Sequence, residues 1–435
     1  MTFSKKQILS VLLSSALLIS TVPMTVCADD TASTAHIHET VLFPDDADVI
    51  HQLPPHMVTV SNPLYDDSGT VSQEFVIPPS LDADTSENQG IQYYIHTADA
   101  ADVIRTEFSS WAASFHVPFC ISTTETFETQ ESLQTFLISY ALEVFSLAQE
   151  HTGNPREGDY LAWNTYKYSY GYTQPSEISY EDHTEYYLYL VYTPYYRTTA
   201  AQEAEFDAAA NTLLDTLFGK ERITFNTYRT IKTIYDWICT NVTYDDEHLG
   251  MGTDPNDENA YRLHHTAYAA LLNGTSVCQG YALLMYYLLL EMGIDCRMVA
   301  GQGNGGAHGW NIAEIDGLYY NLDSTWDAVC YPNYQYFLLN EKTFTENYTD
   351  HFRYTDYETS DFHAAHPMSA DNYVYTQSGD TNSDGIVTED DAFYLLRSTL
   401  LPDRYPLYTE DADFDWDNRI TAADAAYLYN NISEY

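Results

Sequence analysis

Basic side chains are scarce in this chain. Seventeen Lys and Arg stand against 64 Asp and Glu over 435 residues, a formal net charge of −47. Such a surface repels phosphate backbones and anionic lipid, which argues against nucleic acid and membranes as partners. It suits a protein exported into salty or calcium-containing surroundings. Long apolar runs are nearly missing as well. The one present, Ile8 to Ile19, falls short of the ~20 residues that cross a bilayer, so no membrane span is expected. Lys5 and Lys6 precede that run, Pro23 breaks it, and Val26-Cys27-Ala28 offers a small-residue cleavage site before Asp29. Residues 1–28 therefore read as a signal peptide of a secreted protein.

Cysteine is also sparse. Beyond residue 28 there are Cys120, Cys239, Cys278, Cys296 and Cys330. An odd number leaves a free thiol in an exported protein, with Cys278 the natural candidate; the other four are either paired or buried thiols. Metal-ligand company is lacking around His264-His265 and around His36 and His38, so no zinc site is expected. Gly301, Gly303 and Gly306 spell G-x-G-x-x-G, but no helix or βαβ unit follows, which excludes a dinucleotide fingerprint. These glycines read as a flexible loop giving access to His308. No pair of carboxylates can be singled out for glycoside hydrolysis.

Residues 29–91, rich in Asp, Pro, Ser and Thr, read as a leader or linker. From 92 to 200 an α+β region is expected. A helix is predicted over 131–151, and Tyr-rich alternating runs over 159–173 and 184–196 predict strands whose tyrosines pack rather than bind. Between 201 and 365, helices over 200–220, 225–246 and two segments of 266–293 lead into three strands, CRMVAGQ, GWNIAEID and GLYYNLDSTW. Helices followed by antiparallel strands make this region α+β.

Three phrases carry the chemistry: GTSVCQGYA (274–282), AHGWN (307–311) and LDSTWD (322–327). Cys278, His308 and Asp323 form a thiol, a base and an orienting carboxylate in that order. Cys278 opens a helix, where free N–H groups favour a thiolate and its own N–H can face an oxyanion. His308 and Asp323 are expected side by side on adjacent strands joined at Asp316-Gly317. Gln279, Tyr268 and Trp310 are candidates to line the site, with Trp237 and Gln279 considered as a second oxyanion donor. For Trp310 and Trp326 the favoured reading is packing of the sheet under the site.

These phrases, with YDWICTNVTYD upstream, resemble the core of the transglutaminase-like, papain-like cysteine protease superfamily over residues 225–340. The resemblance implies a papain-like fold and acyl transfer on a thiol. Cys278 carries over as nucleophile, His308 as general base and acid, and Asp323 as the orienting group, with a protein or peptide substrate and no catalytic cofactor. A peptidase or amidase is expected, with a crosslinking transglutaminase or a silent binding module as alternatives.

The last region, 376–435, contains a duplication whose copies start at Asp380 and Asp413, 33 residues apart. Asp380, Asn382, Asp384, Ile386 and Asp391 fall at calcium-loop positions, as do Asp413, Asp415, Asp417, Arg419 and Asp424. Ile386 and Arg419 would offer backbone carbonyls. Asn418 stands where Gly is usual, a residue that tolerates the left-handed conformation. Ile386, Phe393, Leu395, Leu396, Ile420, Tyr427 and Leu428 are expected to form a small core. Each loop precedes a helix, a pattern that resembles a type I dockerin. That resemblance implies an all-α module holding two calcium ions and docking to a cohesin on the scaffoldin of a cell-surface, cellulosome-type complex.

Overall fold

The computed structural model describes residues 37–38, 56–61, 93–222, 226–246, 257–346, 351–407, 412–417 and 419–434. The expected signal peptide, most of the expected leader, His36 and Asn418 lie outside the described residues.

In the first region the strands are β1 (Ile37–His38), β2 (His56–Ser61), β3 (Tyr93–Tyr94), β4 (Phe115–Thr123), β5 (Thr165–Tyr172), β6 (Ser176–Ser179) and β7 (Thr184–Tyr196). They form one sheet in the order β1-β3-β4-β7-β5-β2, with β6 paired to β7. Helices α1 (Thr97–Ser109) and α2 (Gln130–Ala148) pack on it through Phe108, Phe145 and Leu137. Thr129 and Ser132 close a capping box that starts α2. Tyr168, Tyr170, Tyr172, Tyr186 and Tyr192 are buried in this layer. The strand expected over 159–173 begins six residues late, because Asp159–Asn164 is a helix, α3. Gly158 turns the chain at φ +58° and buried Asp159 pairs with Arg297, Oδ2 to Nε at 2.8 Å. That tertiary ion pair overrides the local β preference.

The central region contains α4 (Ala200–Phe218), α5 (Thr227–Asn241), β8 (Thr243–Tyr244), α6 (Asp257–Leu263), β9 (Thr275–Ser276) and α7 (Cys278–Glu291). The first segment of 266–293 is a π-helical turn, Ala269–Asn273, instead of an α-helix. Helix α7 is buried from Cys278 through Leu290. Being apolar on every face, it sits at the centre of the core. Around it lie Tyr160, Phe206, Ile231, Ile238 and Met298. A four-stranded sheet runs β12-β11-β10-β13, from β10 (Cys296–Gly303), β11 (Gly306–Ile315), β12 (Leu318–Leu322) and β13 (Phe352–Arg353). Two-residue turns with positive φ, Asn304-Gly305 and Asp316-Gly317, join β10 to β11 and β11 to β12. The Gly301–Gly306 segment is therefore a tight hairpin, with Gly303 paired to Gly306, not the flexible loop expected. A Cβ on Gly301 would meet Phe352 O at 2.0 Å, and one on Gly303 would meet Trp326 at 2.9 Å.

Further on come α8 (Ser324–Cys330), α9 (Glu341–Glu346), α10 (Ser360–Ala365), α11 (Glu389–Leu400) and α12 (Ala422–Asn431). Helices α11 and α12 bury Ala392, Leu395, Phe414, Ala425 and Leu428, with Leu396 and Ile420 packed against them. Ile386, Phe393 and Tyr427, expected in this core, are exposed. Phe393 and Tyr427 lie off the one face that each short helix buries, and Ile386 lies in the loop before α11. The chain is thus mixed α+β. Among the described residues no helix is long and apolar enough to cross a membrane.

Candidate active site

The nucleophile candidate is placed by the segments before it. Strands β8 and β9 pair in parallel, Thr243 with Thr275 and Tyr244 with Ser276. Val277 N–H donates to His264 O at 3.0 Å and Ser276 Oγ donates to the same carbonyl at 2.6 Å. Gly280 allows this crossing, since a Cβ there would lie 1.9 Å from Ser276 Oγ. Cys278 consequently starts α7 with its sulfur toward β11. It is 2% exposed.

His308 sits on β11 opposite Gly301 of β10. Its Nε2 lies 2.7 Å from Asp323 Oδ2. The other ring nitrogen, Nδ1, is left for the Cys278 sulfur, which is hydrogen-bonded by His308 and by the Gly309 N–H. Asp323 is not on a strand. Pairing of β11 with β12 stops at Asn311–Leu322, and Asp323 caps α8, its Oδ1 accepting from Thr325 N–H at 3.0 Å and Trp326 N–H at 3.2 Å. An Asp followed by a helix start prefers the cap to a further strand position. His308 and Asp323 meet because the chain leaves the sheet there.

Electrostatics follow from burial and pairing. Burial pushes the Cys278 thiol up, and the charged His308 ring beside it more than offsets this, holding the thiol below its ordinary value. Burial would lower His308, but Asp323 and the thiolate push it up to about 10. Asp323 is fully enclosed, yet His308 and His351 keep it well below the usual carboxylate range. These directions favour a thiolate–imidazolium pair with an ionised aspartate behind it.

The remaining candidates go elsewhere. Gln279 is buried and donates from Nε2 to Trp163 O at 2.7 Å, tying α7 to α3. Tyr268 donates its hydroxyl to Glu205 on α4 at 2.9 Å. Trp310 is buried under the sheet, bonding Asn321 Oδ1 through Nε1 at 3.1 Å. Trp237 is half-buried on α5. Trp326 stacks on His308, ring centroids 4.7 Å apart and 22° from parallel. His264 pairs with Asp245, and His265 bonds Tyr261 O. All five cysteines of the described residues are free thiols.

Three neighbours were not anticipated from sequence. His351 places Nε2 3.1 Å from Asp323 Oδ2. Tyr244 has its hydroxyl pushed well above the ordinary phenol range by burial and by the charge of Cys278. Tyr235 donates to Asp323 O at 2.9 Å and to Asp327 Oδ2 at 2.6 Å, bracing the start of α8 from α5. Tyr235 and Tyr244 carry a sequence signal, as the first and tenth residues of the phrase YDWICTNVTYD, whereas His351 carries none.

The C-terminal loops repeat one geometry. In the first, Asp384 N–H donates to Asp380 Oδ1 at 3.1 Å and Thr388 N–H to Asp391 Oδ2 at 2.9 Å. In the second, Asp417 N–H donates to Asp413 Oδ1 at 3.2 Å and Thr421 N–H to Asp424 Oδ2 at 2.7 Å. Carboxylate oxygens of Asp413, Asp415 and Asp424 lie within 4.8 Å of one another. Burial, Asp424 and Asp417 raise Asp415 above the ordinary aspartate value. Converging hard oxygens of this kind suit a divalent cation such as calcium.

Residues 220–339 match the family described as the Transglutaminase-like superfamily. That span includes Cys278, His308 and Asp323. Among solved structures, it is similar to a TGase at 14% identity and a TM-score of 0.27, over 54% of this chain and 57% of that one. It is also similar to a protein described as a candidate cysteine protease from Cytophaga hutchinsonii, at 18% identity and a TM-score of 0.21, over 35% of this chain and 61% of that one. The chain spans less than two thirds of either. No curated protein matches it.

Proposed function

We propose that this chain is a cysteine enzyme performing acyl transfer on peptide or amide bonds, with water as the usual acceptor. The observation that carries the reading is the enclosed Cys278–His308–Asp323 line, with His308 Nε2 2.7 Å from Asp323 Oδ2. The Cys278 thiolate attacks the amide carbonyl carbon, and the developing oxyanion faces the N–H groups at the start of α7. His308, protonated, gives its proton to the leaving nitrogen as the C–N bond breaks. An acyl-thioester and an amine result. Water then attacks the thioester while neutral His308 takes its proton, and the carboxylic acid leaves as the thiolate returns. Asp323 fixes the ring and supports its charge in both halves. Preference for water over an amine rests on analogy with bacterial members of the superfamily.

The C-terminal region supplies the second half of the proposal. Asp380, Asn382, Asp384, Asp391 and the Ile386 carbonyl would hold one calcium ion. Asp413, Asp415, Asp417, Asp424 and the Arg419 carbonyl would hold another. The cation supplies charge that lets clustered carboxylates fold together. In this reading the module is a dockerin that fixes a secreted enzyme to a cohesin of a cellulosome-type scaffold. It is supported by the duplicated loop–helix pattern and the convergence of Asp413, Asp415 and Asp424.

The test is intact-mass detection of an acyl adduct after acid quench of the protein with peptide amides and activated esters. A hydroxylamine-labile adduct on Cys278, lost in Cys278→Ser, is expected. Turnover that persists in Cys278→Ser would overturn the reading.

A further inference from the structure

Asp323 Oδ2 serves two histidines. His308 Nε2 approaches at 2.7 Å and His351 Nε2 at 3.1 Å, while Oδ1 is occupied by the N–H groups of Thr325 and Trp326. An ionised carboxylate only accepts hydrogen bonds, so both rings present an Nε2–H to one oxygen. The His351 side chain is fully buried. Its ring lies 4.2 Å from both Trp326 and Phe344, centroid to centroid. Substrate cannot touch it. A packing position among aromatic rings calls for Phe or Leu; a polar ring there must be matched to a partner.

Building on the thiol–imidazole reading above, we infer that His351 is a positioning residue that tunes the basicity of His308 by sharing the Asp323 oxygen that His308 uses. The second donor draws charge from Oδ2. It thereby limits how tightly Asp323 holds the protonated His308 ring, and the proton stays available to the leaving nitrogen. It also pins the carboxylate, which otherwise pivots about its cap. The other titratable groups around the pair are Cys278 and Tyr281 from α7, Tyr235 and Cys239 from α5, Tyr244 from β8, Asp327 and Cys330 from α8, and Tyr336, whose ring lies 5.5 Å from that of His351. Cys278 bonds the His308 ring; the rest act on the pair through space or through the backbone.

The experiment is the pH–rate profile of Cys278 alkylation by iodoacetamide in the full chain, for wild type, His351→Phe and His351→Gln. Phe keeps a ring between Trp326 and Phe344 but removes the N–H; Gln returns a donor. The upper step of the profile, where His308 loses its proton, should move up by about one pH unit in His351→Phe. Gln should bring it back, and turnover should fall about tenfold in the Phe variant with little change in KM. An unmoved step in His351→Phe, with only a lower melting temperature, would make His351 a filler and overturn the inference while leaving the thiol reading intact. A wild-type thiol that labels like free cysteine would overturn both. Nitrogen NMR of the wild-type rings is independent of whether a variant folds. His351 must carry its proton on Nε2, and a ring protonated only at Nδ1 contradicts the inference.

Discussion

Asp323 gathers four donors with one side chain, and its chemistry is the most sensitive at the residue scale. Asp323→Asn keeps an acceptor for the α8 cap but turns an amide N–H toward two ring N–H groups. Acyl transfer should fall by a factor on the order of 10⁴, measured as kcat/KM on the best peptide amide. The pH dependence has a definite sign. Asp323 titrates below its unfolded value, so its contribution is complete above about pH 4 and lost as pH falls through the folded value. His308 titrates near 10, so its contribution is complete below about 6.5 and lost as pH rises through 10. The stability difference between wild type and Asp323→Asn, read from urea midpoints, should be largest between about pH 4 and 6.5 and shrink toward 10. A difference that stays constant from about pH 6.5 through 10 contradicts the ion pair. Cys278, His308 and Asp323 were legible because each phrase joins a reactive residue to its structural setting. Gln279 and Tyr268 were misplaced because their partners are remote, whereas Trp310 packs beside the site, its ring 6.0 Å from that of His308. Nothing near Gln279 reveals that Trp163 O, 116 residues away, takes its amide. His351 was invisible for the same reason.

Elements deliver these side chains to one point. The start of α7 is held by β8–β9 pairing and by the tight crossing at Gly280. Gly280→Ala would set a methyl 1.9 Å from Ser276 Oγ and 2.6 Å from Thr266 O. Relief requires the helix start to shift. A loss of about 3 kcal/mol is expected, read as a lower urea midpoint, together with slower alkylation of Cys278. Slower unfolding or unchanged labelling would contradict that placement. Helix and strand positions were largely readable from period and caps: the strand over 184–196 and the helix over 200–218 lie where the pattern put them. The failures are local patterns overruled by tertiary contacts. Asp159–Asn164 is helical because Asp159 must reach Arg297, and Ser324–Cys330 is helical because Asp323 caps it.

Across the whole molecule, the C-terminal region is joined to the core through Arg229 of α5. Its guanidinium pairs with Asp413 at 3.3 Å, bonds Tyr375 Oη at 3.1 Å and lies 4.2 Å from the Trp416 ring centroid. Tyr228 stacks on Tyr375 at 4.3 Å. The loops lie far along the sequence from Cys278, and on the calcium proposal their carboxylates would need a cation to fold together. Removing calcium with EGTA should therefore increase amide exchange in residues 380–400 and 413–431 while Cys278 alkylation keeps its rate. Equal exchange with and without calcium would remove the metal from the account. Repeats and charge made the loops visible in sequence, whereas the Arg229 junction has no local signature.

The central claim is that His308 holds Cys278 as a thiolate. The most direct test is the pH–rate profile of iodoacetamide alkylation in wild type and His308→Ala. Labelling well below pH 8 that collapses in His308→Ala is the predicted result. Labelling no faster than a free thiol, and unchanged by the substitution, would contradict the claim and leave a core without its chemistry.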